Sequence, residues 1–277
     1  EDLENGIALL KSCGLEPVLG KTIGASDNQY GGTDALRAAD LQAMLDDEEI
    51  NAIWCAKGGY GTVRIIDEIN FYKFIKYPKW IIGYSDVTVL HSQIHKLGFE
   101  TIHGVMPVGI GRNTAVAKQT LENAWFGKPV HYHIESAPLN RLGTAKGELV
   151  GGNISILYSL CGSHSAIDTT NKILFLEDLD EYLYHVDRMM VNLKRNGMLR
   201  NIRGLVVGGL TSMHDNSTPF GKTAKEIVMD TVAEYDYPVC FDFPAGHLKD
   251  NRALILGRSA SLEVNERGAK LYFDQLE

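Results

Sequence analysis

The chain has 277 residues, a length that predicts one or two domains with a large apolar core. Its 44% hydrophobic and 22% charged residues are typical of a soluble globular protein, and its net charge of −8 argues against nucleic acid or an anionic membrane as the main partner. The scattered cysteines form no C-x-x-C pair, which argues against a zinc ribbon or a thioredoxin-type motif, and no apolar stretch approaches the ~20 residues that cross a bilayer.

The first half of the chain alternates between predicted helices and predicted strands. In chain order they are a helix over 4–13, a helix over 34–45, a strand over 50–56, a short helix over 63–69, a strand over 80–83, a helix over 87–97 and a strand over 101–106. This alternation predicts a parallel, doubly wound α/β sheet. Because such a sheet normally opens on a strand, the initial helix suggests that a first strand is missing from this sequence.

The pattern changes near residues 127–148, where glycine and proline are frequent and no helical period is present. We interpret 128–148 as a linker between an N-terminal domain, 1–127, and a C-terminal domain, 149–277. In the C-terminal part the strands are shorter and a hairpin closes the chain, which indicates a mixed sheet. The predicted elements are a helix over 153–160, a strand over 173–176, a helix over 180–196, a strand over 204–210, a helix over 222–235, strands over 239–243 and 254–256, and hairpin strands over 261–264 and 270–273.

A glycine-rich loop, Gly58–Gly61, follows the predicted strand over 50–56. Backbone N–H groups of such a loop can cradle a phosphate or stabilise an oxyanion, and the loop can equally be a tight turn. It does not match the G-x-x-x-x-G-K-[ST] motif, which weakens the phosphate interpretation. An oxyanion role and a purely structural role remain open.

Ser85 lies at the end of the predicted strand over 80–83, directly before a predicted helix. One interpretation is an N-cap, since serine at this position satisfies the first backbone N–H groups of a helix. The other is a nucleophile on a strained strand-to-helix turn, with the N–H of Asp86 facing an oxyanion. The local sequence does not decide between them.

A serine nucleophile needs a base, and the base needs an orienting group. His247 follows a predicted strand and lies in a glycine-containing loop, where a catalytic side chain is commonly held, although a structural loop histidine is the default alternative. Glu177 ends an apolar strand and is the best orienting candidate. Asp178 and its acidic neighbours could instead charge the start of the next helix or bind magnesium.

Taken together, these motifs resemble the LD-carboxypeptidase family of serine peptidases, which also includes microcin immunity peptidases. The resemblance extends in family order over almost the whole chain. The matching segments are Gly32-Thr33, Arg37 to Leu41, Gly58 to Thr62 with Arg64, Gly83 to Asp86, His103-Gly104, Gly151 to Asn153, Leu176 to Asp178 with Asp187-Arg188, and Gly246-His247.

The resemblance implies a flavodoxin-like N-terminal domain, with a parallel sheet and helices on both faces, that carries the nucleophile. A smaller mixed α/β C-terminal domain would carry the acid and the base. The implied triad is Ser85, Glu177 and His247, in that chain order. The predicted oxyanion donors are the N–H groups of Asp86 and of the glycine loop at Gly58 and Gly59.

Two further residues are predicted to contact the substrate. An exopeptidase must recognise a free carboxylate, and Arg64 is a candidate cation for it, although a structural salt bridge is an equal alternative. Tyr60, in the glycine loop, is the second predicted substrate contact. Neither a metal nor another cofactor is expected.

The implied activity is removal of the terminal D-alanine from muropeptide tetrapeptides by cleavage of an L,D bond, during peptidoglycan recycling. We expect a cytoplasmic enzyme, a homodimer, with no nucleic-acid or membrane partner. Two alternatives stay open. One is an immunity-type peptidase that acts on peptide–nucleotide antibiotics. The other is a non-catalytic protein, which would bind either a nucleotide through Gly58–Gly61 or cell-wall peptides without cleaving them.

Overall fold

The computed structural model describes residues 3–274, which form eight α-helices and eleven β-strands. The helices are α1 (Glu4–Ser12), α2 (Asp34–Asp46), α3 (Tyr72–Lys76), α4 (Thr88–Lys96), α5 (Ala115–Trp125), α6 (Ile154–Leu160), α7 (Leu183–Arg195) and α8 (Ala224–Thr231). The strands are β1 (Ala52–Trp54), β2 (Trp80–Gly83), β3 (Thr101–His103), β4 (His131–Glu135), β5 (Gly143–Asn153), β6 (Ile173–Leu179), β7 (Gly204–Thr211), β8 (Val239–Cys240), β9 (Leu254–Leu256), β10 (Ser259–Asn265) and β11 (Gly268–Phe273).

The strands form two sheets. The first has the order β1-β2-β3-β9, in which β1, β2 and β3 run parallel and β9 is an antiparallel edge strand contributed by the C-terminal part of the chain. The second has the order β4-β11-β10-β5-β6-β7-β8. It is antiparallel from β4 to β5 and parallel from β5 to β8. The predicted α/β class is confirmed. The first sheet, predicted to be parallel, is parallel except for its edge strand β9, and the second is mixed.

The stretch 128–148, predicted as a linker, contains β4 and the first half of β5. Both segments alternate between more exposed and more buried positions, as strands do. In β4, for example, Tyr132 is buried between the exposed His131 and His133. Frequent glycine and proline masked this two-residue period in the sequence.

Two predicted helices differ from the structure. The helix expected over 63–69 is a pair of short 3₁₀ turns, Thr62–Arg64 and Ile66–Glu68. The helix expected over 180–196 begins only at Leu183, because the preceding residues still pair with β7 and the loop that follows it. The N–H of Asp180 donates to the carbonyl of Thr211 at 2.9 Å. The carboxyl end of β6 is therefore extended backbone and not the start of a helix.

The two sheets share one apolar core. Ile82 and Ile102 of the first sheet belong to the same buried cluster as Leu149 and Phe175 of the second. Burial of this size stabilises a domain by ~25 cal/mol for each Å² of apolar surface removed from water, which holds the two sheets in one arrangement. Within residues 3–274, no helix has the length and apolar character needed to cross a membrane.

Candidate active site

Ser85 has a backbone conformation that is rare for a residue with a side chain. It opens a 3₁₀ turn, Ser85–Val87, directly after β2, and its φ is 64°. A left-handed φ at a non-glycine residue costs about 1–2 kcal/mol, and such strain concentrates at functional sites. Of the two interpretations of Ser85, this geometry favours a nucleophile on a strained turn, because an N-cap residue has extended backbone.

The glycine loop packs directly against this serine. A Cβ placed on Gly58 would lie 2.9 Å from the Cβ of Ser85 and 3.1 Å from its Oγ, so the position has no room for a side chain. Gly59 and Gly61 have φ values of 119° and 126°, which favour glycine. The backbone of the loop thus lies close to the serine oxygen, where a backbone N–H that stabilises an oxyanion has to lie.

Asp86 ties the glycine loop to the serine turn through its side chain. Its Oδ2 accepts hydrogen bonds from the N–H of Thr62 at 2.9 Å and from the Thr62 hydroxyl at 2.7 Å. The carboxyl group is buried, and burial raises its pKa despite these two bonds. Two segments 24 residues apart are therefore fixed to each other next to Ser85.

Glu177 and His247 form a buried pair. Glu177 Oε2 accepts hydrogen bonds from His247 Nδ1 at 2.7 Å and from the His247 backbone N–H at 3.2 Å. The Glu177 side chain is fully buried and that of His247 is 15% exposed. Gly246, with φ 104°, allows the close approach, since a Cβ there would lie 2.6 Å from Glu177 Oε2.

The environment of His247 favours its charged form. Burial by itself lowers the pKa of the imidazole, but the hydrogen bond to Glu177 and the charge of that carboxylate outweigh burial and raise the pKa. With Nδ1 donating to the carboxylate, Nε2 of the neutral ring is an acceptor. His247 can thus take a proton at Nε2 while Glu177 stabilises the imidazolium.

Contacts between the two sheets bring Ser85 and His247 to one cleft. The ring of Tyr84, the residue before the serine, lies 5.0 Å from the ring of His247 at an angle of 61°. On the other side of the turn, the Thr88 hydroxyl accepts from the N–H of Asn153, at 3.1 Å. The serine, the histidine and the acid are therefore held around one point by residues of both sheets.

Asp178 has a role that the sequence did not predict. Its carboxylate accepts hydrogen bonds from Asn153 Nδ2 and from the N–H of Ser155, both at 2.9 Å. Asp178 therefore stabilises the start of α6, and not the start of α7, the next helix after it in the chain. Burial, and then the charge of Glu177, raises its pKa to about 7. Its closeness to Glu177 along a strand was visible in the sequence, but the partner helix was not.

Arg64 and Tyr60 lie on the outer side of the glycine loop. The guanidinium of Arg64 is bound to Asp34, with Nε and Nη2 at 2.9 and 2.5 Å from Oδ2. The structure thus shows the salt-bridge alternative for this residue. Tyr60 is 54% exposed, and its ring lies 6.0 Å from that of Tyr30.

Two buried histidines lie beneath the serine strand and were not assigned a role from the sequence. His91 Nε2 lies 2.9 Å from the carbonyl of Gly83, and burial lowers its pKa to about 4. His103 packs 5.0 Å from the Phe175 ring and 5.8 Å from the Tyr84 ring, and burial lowers its pKa well below the usual value. Burial therefore favours the neutral form of both rings. The sequence pointed to His103 only through the segment His103-Gly104, which is one of the matches to the family.

Other features do not point to a different site. Across the described residues, no group of three or more histidine, cysteine, aspartate or glutamate side chains has an arrangement that could hold a metal ion. A surface cavity of about 750 Å³ lies along α7, with Tyr184, Arg188 and Phe220 in its lining, and no triad candidate contributes to it. This cavity therefore offers no alternative position for the triad candidates.

The sequence matches both halves of one family. Residues 1–104 match the LD-carboxypeptidase N-terminal domain, and residues 146–262 match the LD-carboxypeptidase C-terminal domain. The chain is 34% identical over 273 residues to a probable murein peptide carboxypeptidase of Bacillus subtilis, with 96% of this chain and 86% of the relative covered. It is 27% identical to a murein tetrapeptide carboxypeptidase of Pseudomonas aeruginosa, over 95% of this chain and 89% of the relative.

Solved structures agree with this assignment. The muramoyltetrapeptide carboxypeptidase from Oxalobacter formigenes superimposes with a TM-score of 0.88 at 25% identity, over 98% of this chain and 93% of that one. The microcin C7 self-immunity protein MccF, in complex with aspartyl sulfamoyl adenosine, shares the fold with a TM-score of 0.84 at 21% identity, over 98% and 90% of the two chains. This chain belongs to the LD-carboxypeptidase family, and it is a serine-type carboxypeptidase, a hydrolase.

Proposed function

We propose that Ser85 is the nucleophile, His247 the general base and Glu177 the acid that orients the base. The observation that carries the proposal is the buried Glu177–His247 hydrogen bond of 2.7 Å, beside a left-handed serine whose neighbour Tyr84 packs on the His247 ring. A buried acid, a histidine with its second nitrogen available and a strained serine are the three parts that this chemistry needs.

The reaction would proceed through an acyl-enzyme. His247 Nε2 takes the proton of Ser85 while the serine oxygen attacks the carbonyl carbon of the L,D amide bond. N–H groups of Asp86 and of Gly58 or Gly59 stabilise the resulting oxyanion, and one such donor is worth ~3 kcal/mol. The imidazolium then gives its proton to the amine of the leaving residue, and that C–N bond breaks. Water, deprotonated by His247, releases the acyl group from the serine.

The proposed substrate is a muropeptide tetrapeptide, from which the enzyme releases the terminal D-alanine during peptidoglycan recycling. The support comes from the relatives named murein peptide and murein tetrapeptide carboxypeptidase. A cytoplasmic location and a homodimer are part of this proposal.

The alternatives have less support. The similarity to MccF, at 21% identity, concerns the fold alone and does not indicate the substrate of this chain. The glycine loop has Gly58 against the side chain of Ser85, which suits an oxyanion donor better than a phosphate cradle open to solvent. A protein that only binds peptides would not need a strained backbone at Ser85, since such strain is typical of catalytic residues.

The test is the release of D-alanine from a muropeptide tetrapeptide by the wild type and by Ser85→Ala. We expect the variant to stay folded by circular dichroism and to lose turnover by ~10³-fold or more. Ser159→Ala is the matched control, because its hydroxyl is exposed on α6 and bonds only locally to the carbonyl of Ile156. A folded Ser85→Ala protein with near-normal turnover would rule out the proposed triad.

A further inference from the structure

A segment that follows β3 bridges the two sides of the catalytic cleft. The N–H of Val108 donates to the carbonyl of Ala56, just before the glycine loop, at 3.0 Å. The N–H of Thr114 donates to the carbonyl of Lys249, on the loop after the proposed base, also at 3.0 Å. Residues 108–114, which we call the bridging segment, thus contact both the oxyanion side and the base side.

Arg112 is presented by this bridging segment. It ends a 3₁₀ turn that follows Gly109, whose φ is 87°. A Cβ on Gly109 would lie 2.6 Å from Arg112 Nη2, so the guanidinium folds back over the glycine. The next side chain, Asn113, donates to the carbonyl of Lys249 at 3.1 Å, which fixes the backbone beside Arg112.

The guanidinium of Arg112 has no acidic partner in the part of the chain that the structure describes. Other arginines around the cleft are paired. Arg64 binds Asp34, as described above, and Arg252 binds Asp250 at 2.8 Å. In a protein with a net charge of −8, an exposed cation beside the cleft without a counterion is available to an anionic group of the substrate.

The charge of Arg112 reaches the catalytic side of the cleft. Burial and the charge of Glu177 raise the pKa of the Tyr84 phenol, and the positive charge of Arg112 opposes this rise. Tyr84 immediately precedes the proposed nucleophile and packs on His247. The charge of Arg112 thus acts on the residue that immediately precedes the proposed nucleophile.

The chemistry of a carboxypeptidase requires a cation at such a place. In the leaving residue, a single carbon separates the scissile nitrogen from the free carboxylate, so the group that recognises this carboxylate has to lie close to the serine. Arginine binds a carboxylate through two parallel hydrogen bonds, which gives both charge and orientation. Arg64 already donates to Asp34 through Nε and Nη2, and this carboxylate offsets its charge, so it is less suited to bind a second one.

We propose that Arg112, together with the hydroxyl of Tyr84, binds the terminal carboxylate of the leaving residue and so makes the enzyme specific for a free chain end. This inference rests on the carboxypeptidase function proposed above. It assigns a specificity residue, and no step of bond cleavage depends on Arg112.

The experiment compares kcat and KM for a tetrapeptide and for the same peptide with a C-terminal carboxamide, with release of the last residue as the readout. For Arg112→Gln we expect KM for the free acid to rise ~10–100-fold with little change in kcat, and the preference over the amide to collapse. Arg112→Lys should restore part of the preference, because it keeps the charge without the planar fork. Arg267→Gln, in the exposed hairpin turn, is the control with the same change of charge.

The outcomes separate the two proposals. If the wild type releases D-alanine and Arg112→Gln keeps the full preference for the free acid, the inference is overturned and the carboxypeptidase function stands. Lys57, exposed before the glycine loop, is the rival cation, and a lost preference in Lys57→Gln with an unchanged Arg112→Gln would move the carboxylate site there. If the wild type releases nothing from either peptide, the proposed function fails and the inference fails with it.

Discussion

The turn at Ser85 and the Glu177–His247 pair lie on different sheets, and different forces hold them in place. The serine turn is fixed by backbone geometry and close packing. Ser85 has a left-handed φ of 64°, Gly58 packs against its side chain, and the Asp86 carboxylate binds the glycine loop to the turn. The acid–base pair is fixed by charge, through a fully buried carboxylate that accepts two hydrogen bonds from His247.

This difference determines how each half of the site can be damaged. At the serine turn, added volume or a changed backbone displaces the nucleophile while the charges of the site stay the same. At the pair, a change of charge alters the histidine while the shape of the cleft stays nearly the same. Substitutions can therefore be chosen that affect one half and leave the other intact.

The largest effect is expected from Glu177→Gln, which removes charge at nearly constant shape. The amide cannot stabilise imidazolium and can favour the wrong ring tautomer, so turnover should fall by about 10³–10⁴-fold while KM changes little. The measurement is steady-state D-alanine release beside a thermal unfolding curve. Glu181→Gln is the control, because Glu181 pairs with His185 at 2.7 Å and not with the proposed base.

If Glu177→Gln lost only affinity for the substrate, with turnover unchanged, the proposed difference between the serine turn and the Glu177–His247 pair would be contradicted. Glu177 would then be a substrate contact, and the charge at the pair would not control the chemical step. Equal losses of turnover in both glutamate variants would point to a general effect of negative charge in the cleft.

A smaller effect is expected from Gly58→Ala, which adds volume at constant charge. The new Cβ would lie 2.9 Å from the Cβ of Ser85, so either the serine or the glycine loop has to move. We expect kcat to fall by ~10–100-fold, since misplacement of the nucleophile or of one oxyanion donor has this order of cost. Gly31→Ala is the matched control, because a Cβ there meets open space and its φ is not left-handed.

An unchanged kcat in Gly58→Ala would mean that the glycine loop can retreat without a cost to catalysis. The loop would then contribute no oxyanion donor from this side. Loss of thermal stability without loss of turnover would assign the close contact a structural role alone.

The sequence was informative about these two halves to different degrees. The strand before Ser85 and the helix after it are short-range patterns, and they predicted the place of the turn. Strain at Ser85 was one of two interpretations, and the sequence did not decide between them, because the close contact with Gly58 joins residues that are distant in the sequence. Glu177 was proposed as the orienting acid from its position at the end of an apolar strand, but its pairing with His247, in another loop, needed the family resemblance.

Long-range pairing also explains the errors in the fold. The stretch 128–148 lacked a clear apolar period, and its strands exist because they pair with β10 and β11 of the closing hairpin, far away in the sequence. Arg112 was missed for a similar reason. It lies in a segment without a local motif. Only the hydrogen bonds of its neighbours Val108, Asn113 and Thr114, to Ala56 and Lys249, place this segment beside the cleft.

The smallest effect is a shift in the pH dependence of kcat/KM, which reports the charge of the pair directly. His247, the proposed base, can accept a proton only when its ring is neutral, so activity should rise as the imidazole loses its proton. Burial lowers the pKa of this group, but Glu177 raises it by more, so the net shift is upward. The midpoint of the acidic limb should therefore lie above the usual value of ~6.5 in the wild type.

In Glu177→Gln the upward influence of Glu177 on the pKa is removed, while the effect of burial and the smaller upward effect of Asp178 remain. The midpoint measured from the residual activity should then move to lower pH, whereas Gly58→Ala should keep the wild-type midpoint because its charges are unchanged. A midpoint that stays in place in Glu177→Gln would show that another group controls the limb. A midpoint that moves equally in both variants would mean that volume and charge at this site are not separable, since the serine turn would then be setting the environment of the imidazole.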